Sequence, residues 1–431
     1  MRGVLDQIGM ALPKSTYRAL ASLMTRRARL RIGSLDYSER AEADVPRETL
    51  TRIDACWSVA LGLGLIDHVR AADFQTRSLL LALNAGEPYR IARAMAMEVA
   101  YASATGPAGE ARAAGLVDTA RAIADRIEVP HAQGMSRYGA GVAHFLAGRW
   151  RPACDELEEA AEIWRDRCRG ANWESTTTAV FHLSALAYLG DVGQIAARVP
   201  ALLAQARERG NVYFSTNLRT GYPSLAWLVV DDPEAGARHH AEAMAEWGDD
   251  GFHVQHYFDL IAAVHLALYR GRAEDAWRRV DTTWKPLHAS MVHHVKLVEL
   301  DTLTLRARAA LAAIRAGIDE DNPLATLRHD IRALRRSRVA WAMAEGALFD
   351  GLIAAHEGRP DDAKAWLIEA IDGFDATETA LCAAATRMRL GALLGGSEGQ
   401  SLSRAGEDTM RDAGVRNPIA MARILAPGLE P

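Results

Sequence analysis

Val142-Ala143-His144-Phe145-Leu146-Ala147-Gly148-Arg149 is an apolar helical segment that runs into a glycine, with a second helical segment after it. A helix commonly ends on a residue at positive φ, a conformation that costs glycine little, so Gly148 reads as a helix stop. Beyond it, Ala153, Leu157, Ala160, Ala161 and Trp164 recur at i, i+4, i+7, i+8 and i+11, the spacing of one apolar stripe on a helix. The two segments form a helical hairpin. The same punctuation returns at Leu189-Gly190-Asp191, Arg270-Gly271-Arg272 and Glu357-Gly358-Arg359, and successive glycines of the four stand 42, 81 and 87 residues apart. Those intervals are one, two and two units of roughly forty residues, a period used by helical-hairpin repeats.

The second helices repeat the stripe. Ile195, Val199, Leu202, Leu203 and Ala206 carry it in one unit; Gly236, His240, Ala243, Met244 and Trp247 in another; Ala363, Leu367, Ala370, Ile371 and Phe374 in a third. Small members let helices approach closely, and large ones fill the space between successive hairpins. Extending the register places first helices near residues 50, 87, 130, 172, 212, 253, 294, 341 and 379, with start-to-start spacings from 37 to 47. The breaks Gly86-Glu87-Pro88, Glu128-Val129-Pro130, Asp231-Asp232-Pro233 and Asp321-Asn322-Pro323 agree, since proline in the first helical turn needs no amide donor. The expected fold is all-α, a right-handed α-solenoid of about nine tetratricopeptide-like (TPR-like) hairpins over residues 47–413. Residues 1–46 read as a basic helix (15–32) and an acidic, breaker-containing linker. Residues 414–431, with Gly414-Val415-Arg416-Asn417-Pro418 and an apolar end, read as a tail that caps the last repeat.

Composition agrees with a helical array. Of the 431 residues, 49% are hydrophobic, 24% charged and only 6% aromatic, enough for a core and poor in strand formers. A net charge of −5 argues against a general nucleic-acid binder. Cys56, Cys154, Cys168 and Cys382 form no Cys-x-x-Cys pair, so neither a disulfide framework nor a cysteine zinc site is indicated. The start, Met-Arg-Gly-Val-Leu-Asp, does not read as a secretory signal, and no stretch approaches the about 20 apolar residues of a membrane span. A cytoplasmic protein is expected, without membrane or nucleic-acid partner.

The run Cys56-Trp57-Ser58-Val59-Ala60-Leu61-Gly62-Leu63-Gly64, continuing through Arg70-Ala71-Ala72-Asp73-Phe74-Gln75-Thr76-Arg77 to Ala85-Gly86-Glu87-Pro88-Tyr89-Arg90, resembles part of a known family. It is similar to the C-terminal TPR-like repeat region of large bacterial, myxobacterial-type serine/threonine protein kinases that also carry a signal-transduction ATPase module. The closing segment Gly414-Val415-Arg416-Asn417-Pro418-Ile419-Ala420-Met421 is similar as well. The resemblance covers residues 20 onward and is strongest over 52–105. It implies a bacterial signalling context with kinase or ATPase modules as partners in cis or trans. The chain departs from the family in having no Gly-x-x-x-x-Gly-Lys-Ser/Thr loop and no His-Arg-Asp catalytic loop, so phosphoryl transfer is not carried over. It stands as a fragment or as a free-standing relative of the repeat region.

Four groups of residues invite a functional reading. His239-His240, His253-x-x-His256 and His293-His294 offer imidazoles at helical spacing, but without a His-Glu-x-x-His core they read as packing or surface histidines. Asp231-Asp232, Asp249-Asp250 and Asp361-Asp362 lack a continuing Asp-Asp-x-x-Asp spacing and sit at predicted turns, where acidic side chains cap helices. The arginines of 26–31 and 328–338 read as solvated faces or as patches meeting an acidic partner. Trp164, Trp247 and Phe374 fall on the packing stripe, whereas Trp57, Trp173 and Trp341 fall on first helices, which line the concave face of a TPR stack.

The expected function is a non-catalytic interaction or sensory scaffold without cofactor or metal. Its groove binds a peptide, protein segment or small effector, with Trp173, Asn217, Arg219, Tyr222 and Tyr257 as contacts. Two other classes stay open: a helical-toroid enzyme, marked by carboxylates or histidines converging in one cavity, and an oligomerisation domain, marked by an exposed continuous apolar face.

Overall fold

The computed structural model describes residues 10, 12–13, 15–33, 35–64, 67–248 and 251–429. Asp249 and Asp250, one of the acidic pairs, lie outside them. Among the described residues there are 21 α-helices and no strand. The fold class is all-α, an α-solenoid type of array built from nine TPR-like hairpins. Their first helices begin at residues 47, 88, 130, 172, 212, 254, 296, 340 and 380, within three residues of the expected starts. Chain contacts divide the protein into two compact units, Met1–Ala147 with Asp155–Thr178, and Gly148–Cys154 with Ala179–Pro431.

The N-terminal unit contains α1 (Thr16–Ile32), α2 (Arg47–Leu63), α3 (His68–Ala85), α4 (Pro88–Ser103), α5 (Glu110–Ile127) and α6 (Pro130–Leu146). Helices α7 (Trp150–Arg167) and α8 (Asn172–Leu189) supply residues to both units. Local chemistry sets the boundaries. Glu87 accepts the Tyr89 and Arg90 amides at 3.0 Å ahead of Pro88, and Gly86 ends α3 at φ +78°. The basic α1 packs on α3: Ser22 Oγ donates to Asp73 at 2.7 Å, and Arg26 and Arg77 both reach that carboxylate at 2.8 Å. Arg27 pairs with Glu98, whose side chain is fully buried.

The C-terminal unit continues with α9 (Val192–Glu208), α10 (Val212–Arg219), α11 (Leu225–Val229), α12 (Pro233–Trp247), α13 (Val254–Tyr269), α14 (Ala273–Ala289), α15 (Lys296–Arg315), α16 (Pro323–Arg336), α17 (Ala340–His356), α18 (Pro360–Ala376), α19 (Ala380–Leu394), α20 (Gly396–Asp412) and α21 (Pro418–Leu425). The stripe residues Ala363, Leu367, Ala370 and Phe374 are at most 1% exposed. Residues 414–429 form a strap. The Arg416 amide donates to the Val229 carbonyl at 2.9 Å, α21 packs on α13, α19 and α20, and Arg389 donates to the carbonyls of Ala426 (2.7 Å) and Leu429 (2.8 Å). The tail thus lies on the ninth hairpin and also reaches back to the fifth.

Candidate functional site

In the C-terminal unit a break in one helix aims a tyrosine inward. Helix α10 stops at Arg219; Thr220 is extended, and Gly221 takes φ +57°, ψ −152°, a region open essentially to glycine alone. The Gly221 amide donates to the Phe258 carbonyl at 2.8 Å, and a Cβ on Gly221 would sit 3.1 Å from the Phe258 ring. The chain then makes a 3-10 turn over Tyr222–Ser224 and resumes as α11.

That turn brings Tyr222 to Asp301, in the first half of α15. Asp301 is 3% exposed, and three phenols donate to it: Tyr188 to Oδ1 at 2.8 Å, Tyr222 also to Oδ1, and Tyr257 to Oδ2. Trp150 stacks parallel to Tyr188 at 4.0 Å, and the Trp341 ring lies 5.8 Å from Tyr188. The turn glycine Gly148 packs against Trp341, where a Cβ would come within 2.6 Å of the indole. The hairpin turn therefore also builds the site. Thr304 and Arg308 follow Asp301 at i+3 and i+7, on the same face of α15. Arg308 pairs with Glu345 of α17 at 2.6 Å, and Cys382 of α19 stands 3.8 Å from Arg308 and 3.7 Å from Glu345.

These groups wall a cavity of about 40 Å³, whose rim includes the half-buried Tyr188, Tyr222 and Cys382. Burial dominates its chemistry. It pulls His265 down to about 3, so the imidazole is neutral near pH 7, and pushes the Cys382 thiol up to about 12. Burial also raises Glu345 against the pull of Arg308, and lifts Tyr188, Tyr222 and Tyr257 well above the ordinary phenol value. Both ring nitrogens of His265, Oγ1 of Thr304 and Oε2 of Glu345 are buried without a hydrogen-bond partner in the protein. Buried polar atoms are ordinarily satisfied, so such a cluster marks a place for polar contacts from outside the fold.

The five groove candidates fall in three places. Tyr222 and Tyr257 converge on Asp301. Asn217 and Arg219 are fully buried: Asn217 accepts from Gln255 at 3.2 Å, and Arg219 pairs with Glu246. Trp173 belongs to the N-terminal unit, half-buried and edge-on to Tyr138 at 6.0 Å. Asp301, His265, Arg308, Glu345, Tyr188 and Cys382 were not singled out by sequence reasoning for this site. The available signal was charge on an apolar helix face, at Asp301 and Arg308 in α15 and at Glu345 in the Ala-rich α17.

The remaining candidates have structural partners. His240 meets Asp259 at 2.6 Å, His239 stacks on Trp227 at 4.5 Å, and His253 and His256 cap α13 together. His293 packs on His288 with ring centroids 3.7 Å apart. Asp232 caps α12 by accepting the Ala235 amide at 2.9 Å, and Asp361 and Asp362 open α18. Among the described residues no group of three or more His, Cys, Asp or Glu side chains is arranged to hold a metal ion. Arg328 and Arg335 pair with Glu357 (2.7 Å) and Glu369 (2.5 Å). Trp57, Trp164 and Trp341 are buried, and Trp247 is half-buried. No described helix is long and apolar enough to cross a membrane.

No family model and no curated protein matches the chain. Among solved structures it is similar to the apo form of the quorum sensor NprR from B. thuringiensis, at 14% identity and a TM-score of 0.51, covering 85% of this chain and 97% of that one. It is also similar to NprR in complex with its cognate peptide NprX, at 13% identity and a TM-score of 0.53, covering 84% of this chain and 99% of that one. At such identities the fold is what is shared.

Proposed function

We propose that the chain is a non-catalytic sensory scaffold that binds a peptide or protein segment, with the surface around Asp301 in the C-terminal unit as its recognition centre. The observation that carries this reading is the buried cluster of unpartnered polar atoms on His265, Thr304 and Glu345, set among first-helix residues of successive hairpins. The likeness to NprR, a quorum sensor solved with its cognate peptide, supports it. A pre-formed helical surface needs little ordering on binding, which favours affinity. Tyr222 and Tyr257 hold Asp301, Asn217 and Arg219 shape the neighbouring wall, and Trp173 offers a contact in the N-terminal unit. In this proposal the array is residues 47–413, flanked by 1–46 and 414–431. It acts in the cytoplasm and passes its signal to a kinase or signalling ATPase in cis or in trans. Screening a peptide library by calorimetry tests it: binders lose affinity on Asp301→Asn, and a library without a binder sinks the reading.

A second reading, oligomerisation, is favoured by one observation. Tyr17, Leu20, Met24 and Ile32 of α1 are exposed and share a face of that helix. Light scattering that reports a monomer at all concentrations would remove it. An enzyme reading draws on the convergence of Asp301, Glu345 and His265 on one cavity. Against it, burial keeps the Cys382 thiol a poor nucleophile.

A further inference from the structure

The cavity beside Asp301 has an aromatic wall and a polar wall. Tyr188, Tyr222 and Trp341 make the first, with Trp150 stacked on Tyr188. Asp301 and Glu345 bring two carboxylates to the second, and Arg308 brings a single guanidinium. His265 is neutral, so the formal charge of the lining is negative. Hydrogen-bonding capacity is unbalanced in the same sense. Glu345 Oε2 accepts only, Thr304 Oγ1 accepts as well as donates, and a neutral imidazole keeps one accepting nitrogen; all three side chains are at most 4% exposed. A small enclosed space with spare acceptors, negative charge and aromatic rings is matched by a cation that carries its own N–H donors.

Size narrows the class. A volume of about 40 Å³ is little more than one water's share of the liquid, roughly 30 Å³. It admits an ammonium or methylammonium group and excludes a whole residue. We infer that this cavity is a receptor for a protonated amine head group, with Glu345 and Thr304 accepting its N–H bonds and the aromatic wall covering its alkyl side. The amine can be the terminus or a lysine side chain of a peptide, in which case the inference rests on the peptide reading above, or it can belong to a free alkylamine.

The test uses the full chain and its tryptophan fluorescence, to which Trp341 and Trp150 contribute beside the cavity. Methylammonium chloride is titrated against potassium chloride and against methanol, a neutral molecule of similar size. A saturable change with methylammonium alone is expected. Thr304→Val, which removes only the hydroxyl, and Glu345→Gln should each weaken it by about tenfold, the scale of a lost hydrogen bond to a charged group. Thr304→Val removes no charge and keeps the side-chain shape, so it remains informative if Glu345→Gln unfolds. An equal response to potassium, an equal response to methanol, or none to methylammonium overturns the inference. Peptides found by the library screen are then compared with their N-acetylated and Lys→Gln forms. Loss of binding on either change assigns the amine to a peptide, and indifference to both counts against an amine site while leaving the peptide reading intact. Methylammonium binding with no peptide binder in the library supports the amine site and sinks the peptide reading.

Discussion

The two units bury carboxylates in different ways. In the N-terminal unit Asp73, Glu87 and Glu98 each face an arginine: Arg26 and Arg77, Arg90, and Arg27. In the C-terminal unit Asp330 and Glu345 follow that pattern through Arg306 and Arg308, but Asp301 takes its hydrogen bonds from three phenols. A guanidinium neutralises a buried carboxylate. A phenol satisfies its lone pairs and leaves its charge in place. The first arrangement serves docking, as α1 on α3 shows, whereas the second keeps a negative centre available.

The sharpest break of that contrast is Asp73→Ala. It leaves Arg26 and Arg77 without their carboxylate and should destabilise the N-terminal unit by about 3–5 kcal/mol, read as lost hydrogen-exchange protection in α1 and α3. Protection in α15 and α17 should stay unchanged. Next in size is Gly221→Ala, which forces a side chain into a glycine-only conformation against Phe258 and should cost about 1–3 kcal/mol in the C-terminal unit. Loss of the Tyr222 contact, visible as lost amine or peptide binding, accompanies it. Should Asp301→Asn destabilise its unit as much as Asp73→Ala does the other, the distinction between docking and recognition carboxylates fails; the expected cost is smaller, about 1–3 kcal/mol, because no arginine is orphaned.

His265 gives the contrast a pH dependence. Its folded value near 3 lies below the ordinary 6.5, so the unfolded chain binds a proton that the folded chain refuses. Stability is therefore full above pH 6.5 and is lost as pH falls through that value. At pH 5 the loss is about 2 kcal/mol, and His265→Gln should remove it from the denaturation midpoints compared at pH 7.5 and pH 5. At the small end, Arg151→Ala breaks an exposed pair with Glu378 and should shift stability by less than about 1 kcal/mol.

The hairpin array was legible because its signals are local. Gly86, Gly148, Gly190, Gly271 and Gly358 take positive φ at turns, and Pro88, Pro130, Pro233 and Pro323 stand in the first turns of their helices. The recognition centre was legible only in part. Tyr222 and Tyr257 were named, but their common partner Asp301 lies 79 and 44 residues away, and no spacing rule links them. The break at Gly221 that redirects Tyr222 is likewise invisible to a period of forty. Asn217 and Arg219 share a helix with that break, yet Arg219 turns to Glu246, because a fully buried guanidinium needs a carboxylate within reach.

The strap formed by residues 414–429 changes how the C-terminal unit should fold. Hairpins that touch only their neighbours add stability one repeat at a time and fray from the ends. Asn417 bonded to Asp231 at 3.3 Å closes a loop of 186 residues, and that closure makes hairpins five through nine cooperative. During synthesis those repeats can pair as they emerge, but they lock together only once the last residues leave the ribosome, so truncation should loosen the fifth hairpin together with the ninth.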